Sequence, residues 1–354
     1  MDPRIKRSAE ILVDYSTKVK KGEKVIISAD VAAKDLALEC FKLCIQRGAL
    51  PKIEWSVPGQ AYIYYKYASQ EQLKNFPQIA FDEIKQTQAV IFIGASQNTR
   101  ELTNTQPDYI GLRRKTLKPI SDWRVQKTKW CIFDYPTQAF AQDADMSLSE
   151  FEDFVFKAVD LDWEKHAKQY IRLKEILDKG EKVQIIGDDT DITLGIKGRT
   201  SINSNGTYNM PDGEVFMAPV ETETEGRIHY TFPAIYGGRE VDDVVIEFSK
   251  GKVVKATAKK NEDMLKKLIK TDKGASYLGE LGIGTNFHIQ KFVKQILFDE
   301  KIGGTIHLAL GMAYKEGGGV NESAIHWDMI KDLRVGGKIL VDGKVIQKDG
   351  KFVY

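Results

Sequence analysis

The segment from residue 302 to residue 330 contains the residues whose types and spacing could do chemistry. It holds two of the chain's five histidines, His307 and His326, together with Asp328 and Tyr314. If the apolar run around His326 forms a strand, side chains two residues apart point to the same face, so His326 and Asp328 project side by side. An imidazole nitrogen and a carboxylate oxygen placed in this way could both bind one metal ion.

Glycines on either side of His307 would allow the chain to bring the two histidines together. His307 lies in a second strand-like run, 305–310, which follows Gly303-Gly304, and three more glycines occupy 317–319. Glycine permits sharp reversals, so two short strands could meet across a turn. A structural role stays open, because a single histidine in an apolar strand is more often a hydrogen-bonded core residue. The spacing matches neither HExxH nor a Cys-X-X-Cys zinc motif.

Two glutamates elsewhere in the second half could complete a metal site. Glu214 follows a turn within NMPDGEVFMAP, and Glu280 begins the glycine-rich segment GELGIGTN. Either glutamate alone would suit the exposed end of a strand. Together with His307, His326 and Asp328 they supply three carboxylates and two imidazoles. This set suits two hard or borderline divalent cations.

Length and composition describe an ordinary globular protein and exclude some function classes. A chain of 354 residues favours two domains, and 42% hydrophobic with 29% charged residues is typical of a water-soluble fold. The net charge is only +2, from 52 basic and 50 acidic residues. This balance argues against nucleic acid or a membrane surface as a partner. No apolar run approaches the length of a membrane span.

The N-terminus and the cysteines favour a cytoplasmic protein. The first residues lack the apolar core of a signal peptide. The cysteine count is odd and low, and Cys40 and Cys44 are spaced as two thiols on one helix. Such usage is typical of a reducing compartment.

The first half alternates helix and strand patterns. Short apolar runs near 24–28, 53–55, 89–94 and 130–133 predict strands, and helical spacing separates them. We predict an N-terminal α/β domain, 1–178, with a small doubly wound sheet and connecting helices. The first strand is followed by ADVAA rather than GxGxxG, and no GxxxxGK[ST] occurs. A scaffold or lid is therefore favoured over a nucleotide-binding domain, and no cofactor-binding residue is predicted.

Beyond Gly180 the pattern changes to short strands and hairpins. The segment SKGK between two apolar runs, and the pairs Asp342-Gly343 and Asp349-Gly350, indicate tight turns between strands. We predict a C-terminal α+β domain, 179–354, with a mainly antiparallel sheet. This domain contains every candidate metal ligand.

Four segments in this half carry a specific resemblance. NMPDGEVF, GELGIGTNF, GTIHLALGMAY and SAIHWD occur in this order, and with them the sequence resembles the M29 family of metallo-aminopeptidases, the thermophilic aminopeptidase T type. The resemblance implies a co-catalytic site with two divalent metal ions per subunit, whose ligands are Glu214, Glu280, His307, His326 and Asp328. Zinc or cobalt is expected, and manganese or magnesium is also compatible with these ligands.

The resemblance also implies catalytic roles and partners. Tyr314 matches a tyrosine that assists catalysis in the metal site, and Glu280 could be a bridging ligand, a proton shuttle or both. The implied substrate is a peptide with a free N-terminus, and the implied assembly is a homodimer. The segment between Tyr314 and His326 is shorter than we expect in bacterial members of the family, which would alter substrate access.

Two other function classes stay open on the sequence. A two-metal hydrolase of a non-peptide substrate, such as a phosphoester, would use a similar set of ligands. A non-catalytic binding protein could keep the fold, but the loss of a ligand would mark it, and all five positions are filled.

Overall fold

The structure, a computed structural model, describes residues 2–354, and its helices are concentrated in the first half of the chain. The α-helices are α1 (Pro3–Glu10), α2 (Lys34–Gln46), α3 (Gln60–Tyr67), α4 (Gln70–Lys74), α5 (Gln78–Lys85), α6 (Pro107–Lys127), α7 (Gln138–Asp143), α8 (Leu148–Val159), α9 (Trp163–Gln169), α10 (Ile171–Lys179), α11 (Glu262–Leu268) and α12 (Ile296–Asp299). A π-helical turn spans Ile11–Ser16, and 3-10 turns span Val31–Ala33 and Lys315–Gly317. None of the helices in the described part of the chain has the length and apolar character needed to cross a membrane.

Strands dominate the second half. They are β1 (Lys24–Asp30), β2 (Leu50–Ser56), β3 (Ala89–Gly94), β4 (Lys129–Asp134), β5 (Lys182–Gly187), β6 (Thr190–Gly195), β7 (Ile202–Ser204), β8 (Asn209–Met210), β9 (Glu214–Met217), β10 (Thr224–His229), β11 (Ala234–Tyr236), β12 (Arg239–Val241), β13 (Val245–Ser249), β14 (Lys252–Thr257), β15 (Leu278–Gly284), β16 (Thr305–Gly311), β17 (His326–Asp332), β18 (Lys338–Val341), β19 (Lys344–Lys348) and β20 (Lys351–Phe352).

The first compact unit contains residues up to 161 together with 206–211. Its sheet has the strand order β2-β1-β3-β4-β8, and all neighbouring strands are parallel. Consecutive residues of β1 and of β3 are buried, which shows that both faces of the sheet are covered. The predicted doubly wound βα domain is confirmed.

The second compact unit contains 162–205 and 212–354. An eight-stranded sheet has the order β14-β13-β10-β6-β5-β18-β19-β20, and a five-stranded sheet has the order β17-β16-β15-β9-β7. All strand pairs in both sheets are antiparallel. Both sheets contribute to one hydrophobic core, for example Ile185 and Ile192 from the first and Leu281 and Leu308 from the second. The predicted α+β fold with mainly antiparallel sheets is confirmed.

The two compact units do not share the predicted boundary at residue 178. Helices α9 and α10 belong to the second unit, because Tyr170, Leu173 and Leu177 are buried in its core. The segment 206–211 belongs to the first unit, because β8 pairs with β4 through Asn209 and Met210. The division into 1–178 and 179–354 therefore differs from the compact units at both of these places.

Candidate metal centre

The five-stranded antiparallel sheet of the second unit, β17-β16-β15-β9-β7, is called the site sheet below. One face of it brings the predicted ligands together. Directly opposed residues on antiparallel strands point to the same face. On this face, each predicted ligand lies opposite a glycine or an alanine of one neighbouring strand. The pairs are Glu214 with Gly284, Glu280 with Ala309, His307 with Gly282, Asp328 with Ala309, and His326 with Gly311. The small partners leave space above the sheet for the ligand side chains.

All five predicted ligands converge in the structure. His307 Nε2 lies 3.1 Å from Glu280 Oε1 and 3.4 Å from Glu214 Oε2. His326 Nε2 lies 3.7 Å from Glu280 Oε2 and 3.4 Å from Asp328 Oδ1. His307 has no exposed surface, and both glutamates are buried. Glu280 is therefore the side chain that links the two histidines.

Backbone carbonyls orient both imidazoles toward the carboxylates. His307 Nδ1 donates to the carbonyl of Glu300 at 3.1 Å, and His326 Nδ1 donates to the carbonyl of Met312 at 2.8 Å. A carbonyl can only accept, so the proton of the neutral ring lies on Nδ1. The Nε2 lone pair then faces the carboxylate cluster. This arrangement is typical of histidines that bind a metal.

Three carboxylate oxygens of the cluster are available to bind a cation. Glu214 Oε2, Glu280 Oε2 and Asp328 Oδ1 are buried and have no hydrogen-bond partner among the described residues. A buried polar atom without a partner is costly, and a buried charge without a partner is more so. The carboxylate oxygens and imidazole nitrogens would fit hard or borderline divalent ions. The residues present therefore fit the metal that the sequence implied.

Two further charged residues contact this cluster, and the sequence interpretation missed both. Glu300, His307 and Asp328 each offer a ligand atom within 4.8 Å of the others. Lys301 has no exposed surface, and its Nζ lies 3.5 Å from Glu214 Oε1 and donates to Glu300 Oε1. The run Asp299-Glu300-Lys301 resembles a solvated turn, so its sequence carries no signal of burial.

The imidazoles hold their protons tightly when the cluster contains no metal. Burial alone would lower the pKa of His307, but the hydrogen bond to Glu280 and the surrounding carboxylates raise it to about 10. Burial also opposes the charge on His326, and Asp328 with Glu280 raises its pKa to about 10. Burial acts against ionised Asp328 as well, but His326 brings its pKa down to about 2. Protons must therefore leave both rings when a metal binds.

Glu214 also holds a proton near neutral pH in the metal-free cluster. Burial raises its pKa to about 8, although Lys301 and His307 oppose the shift. Burial likewise raises the pKa of Glu280, against the effect of His307.

Tyr314 lies beside the cluster, not within it. Its ring centroid is 5.1 Å from that of His326 and 6.0 Å from that of Phe216, and 42% of the residue is exposed. Partial burial and the nearby carboxylates of Glu280 and Asp328 raise the pKa of Tyr314 above its ordinary value. The hydroxyl therefore keeps its proton and can act as a hydrogen-bond donor.

A family model described as "Thermophilic metalloprotease (M29)" matches residues 1–352. The chain belongs to the M29 family. The resemblance predicted from the four C-terminal segments is thus confirmed, and membership of this family supports a metallo-aminopeptidase function.

Individual relatives of this M29 chain are similar over nearly its full length. Aminopeptidase AmpS of Bacillus subtilis is 26% identical over 392 residues, which cover 95% of this chain and 94% of that protein. The solved structure of wild-type AmpT from Thermus thermophilus has a TM-score of 0.86 at 22% identity and covers 99% of each chain. A 2,5-dihydroxypyridine dioxygenase from Pseudomonas putida KT2440 has a TM-score of 0.66 at 12% identity, covering 100% of this chain and 98% of that one. These two structures show that the fold is shared, and the second shows that the fold alone does not decide the chemistry.

We expect Gly282→Ala to displace the His307 ring and weaken metal binding. A Cβ at residue 282 would lie 2.0 Å from Cε1 and 2.2 Å from Nε2 of His307. Because β15 is paired on both sides, its backbone cannot move away easily. Isothermal titration calorimetry should show an affinity for Co²⁺ that is at least ~10-fold weaker. This is the loss in metal affinity expected when a ligand is no longer held in its orientation. Gly111→Ala is the control, since nothing lies within 4 Å of its Cβ position. Unchanged affinity in Gly282→Ala would contradict the assigned position of His307.

Proposed function

We propose that the protein is a metal-dependent aminopeptidase that removes the N-terminal residue from peptides with the help of two divalent ions. The observation that carries the proposal is the convergence of three buried carboxylate oxygens and two imidazole Nε2 atoms on one face of the site sheet. The three oxygens have no hydrogen-bond partner among the described residues. The names of the M29 relatives, which are aminopeptidases, support the substrate class.

The proposed ligands are Glu214, Glu280, His307, His326 and Asp328, and Glu300 is a sixth candidate. Zinc or cobalt suits this mixture of nitrogen and oxygen donors, and manganese or magnesium is an alternative. When bound, a pair of such ions would lower the pKa of water toward neutrality and polarise the scissile carbonyl.

The side chains then have separate tasks. One oxygen of Glu280 faces each imidazole, so this carboxylate would help to hold metal together with both histidines. Its raised pKa, caused by burial, also suits a group that transfers a proton to the leaving amine. The Tyr314 hydroxyl, which stays protonated, is proposed to donate a hydrogen bond to the oxyanion of the tetrahedral intermediate. The acidic surroundings favour a substrate with a free α-amine over one with a blocked N-terminus.

A homodimer and a cytoplasmic location stay proposals that rest on the sequence. Family resemblance is the support for the dimer, and cysteine usage is the support for the compartment.

The direct test is hydrolysis after metal removal and reconstitution. Protein stripped with a chelator should not cleave aminoacyl-p-nitroanilides, and added Zn²⁺, Co²⁺, Mn²⁺ or Mg²⁺ should restore cleavage. N-acetylated analogues and p-nitrophenyl phosphate should not be cleaved. Asp328→Asn, which removes one charged ligand, should need more metal for the same rate. Activity that survives complete metal removal, or cleavage of the phosphoester alone, would contradict the proposal.

Tyr314→Phe tests the hydroxyl separately from the ring. If the hydroxyl binds the oxyanion, kcat and kcat/KM should fall together by roughly 10²–10³-fold. Metal content and melting temperature should not change, because the ions are held by other residues. Tyr236→Phe is the matched control, since this ring packs against Trp327 on the other face of β17. A near-normal kcat at full metal occupancy would remove Tyr314 from the mechanism.

Metal affinity should rise with pH. His307 and His326, with pKa values of about 10, and Glu214, with a value of about 8, are protonated at pH 7 without metal. Titrations at pH 7 in two buffers of different ionisation enthalpy should therefore show net proton release on binding. The pKa values of both imidazoles are higher in the folded protein than the ordinary value of 6.5, so their protonation stabilises the metal-free fold. This contribution is fully present below about pH 6.5 and is lost as the pH rises toward 10. The melting temperature should consequently fall across this range in metal-free protein and much less in metal-loaded protein. Affinity independent of pH would contradict the assignment of the imidazoles as ligands.

A further inference from the structure

Lys301 is a fully buried ammonium group inside the acidic cluster. It lies in the turn between α12 and β16 and has no exposed surface. Its backbone is fixed on both sides, because its N–H donates to Phe298 O at 3.1 Å and its carbonyl accepts from Asn286 N at 3.1 Å. Burial of a charged amine is costly unless the amine is paired. The fixed turn therefore holds this charge where the carboxylates need it.

The two oxygens of Glu214 have different surroundings. Oε1 lies 3.5 Å from Lys301 Nζ. Oε2 lies 3.4 Å from His307 Nε2. It is one of the three buried carboxylate oxygens that have no hydrogen-bond partner among the described residues. The ammonium also binds Glu300 Oε1. Lys301 thus forms an ion pair with one oxygen of Glu214, and the other oxygen faces His307 in the metal site.

The charge of Lys301 acts in opposite directions on the metal-free and the metal-loaded site. Glu214, Glu280, Glu300 and Asp328 carry four negative charges when ionised, and Lys301 reduces the sum from −4 to −3. Before metal binds, the ammonium relieves repulsion between buried carboxylates. After metal binds, it is a positive charge close to other positive charges and weakens their attraction to the ligands.

We propose that Lys301 is a positioning residue of the metal centre, which keeps Glu214 a one-oxygen ligand and lowers the affinity of the site for divalent ions while holding the metal-free cluster together. The inference rests on the proposed metal site. It makes no use of the peptidase reaction, so it can be tested by metal binding alone.

Lys301→Met tests the charge while it keeps most of the side-chain volume. In metal-free protein the melting temperature should fall, because Glu300 loses its buried counter-ion. Isothermal titration should show Co²⁺ bound at least ~10-fold more tightly, since one nearby positive charge is gone. The visible absorption of bound Co²⁺ should weaken as Glu214 Oε1 becomes free to bind and the coordination number rises.

Lys331→Met is the matched control. Lys331 is also buried in the second unit, but its Nζ donates to the backbone carbonyl of Asp188 at 2.7 Å and not to a predicted ligand. This substitution should lower the melting temperature equally with and without Co²⁺ and leave the affinity and the spectrum unchanged. Lys301→Gln, which keeps a hydrogen-bond donor without the charge, should tighten Co²⁺ binding even if Lys301→Met does not fold.

The outcomes separate this inference from the proposed function. If wild-type protein binds no divalent ion, the metal site itself is wrong, and the inference falls with it. If wild-type protein binds Co²⁺, and both Lys301 variants bind it with the same affinity and spectrum, Lys301 is only a structural ion pair and the inference alone is overturned.

Discussion

The burial of several like-charged carboxylates on one sheet face is the constraint on which the second unit depends. Glu214 and Glu280 are more than nine-tenths buried, and Asp328 is close to both imidazoles. In a medium of low dielectric constant such groups repel one another and lose hydration. Protons on the imidazoles, the ammonium of Lys301 and the proposed metal ions are alternative ways to compensate the same negative charge.

The strand register gives this cluster its shape. A single row of ligands would be crowded if its neighbours across the sheet also had large side chains, because opposed Cβ atoms are only about 5 Å apart. Each ligand has a glycine or an alanine opposite it on one neighbouring strand, which reduces this conflict. On the other side, His307 lies opposite Ile330 and Glu214 lies opposite Ser204. The sheet backbone, in turn, is held by the core beneath it, where Trp327 is buried and donates to the Ile235 carbonyl at 3.0 Å. The cluster can therefore be rigid although its members come from four strands.

Much of the site could be predicted from the sequence because its ligands follow strand periodicity. His326 and Asp328 are two residues apart, and β16 and β17 pair antiparallel, so the local pattern fixes their common face. The parallel strands β1, β3 and β4 were equally accessible as short apolar runs between helices.

Other parts depend on contacts between distant segments and left no local signal. Glu300 and Lys301 sit in a charged run that resembles a surface turn, and only the tertiary structure buries the lysine. Strand β8 is two residues long and exists because β4, more than seventy positions earlier, offers it an edge. Its position in the chain predicts that helix α10 belongs with the first half, whereas its apolar face lies in the core of the second unit.

Segment 206–211 belongs to the first unit, although its neighbours in the chain belong to the second. This has a consequence for the order in which the protein can fold during synthesis. The chain leaves the first unit after residue 161, returns for 206–211, and leaves again at Asp212, two residues before Glu214. A ribosome that has released only the first 161 residues has therefore not yet supplied the last strand of the parallel sheet. The edge of β4 must wait for the 44 residues of 162–205, which all belong to the other unit, before 206–211 can be made. The nascent chain thus contains an unpaired strand edge for as long as this intervening stretch is being translated.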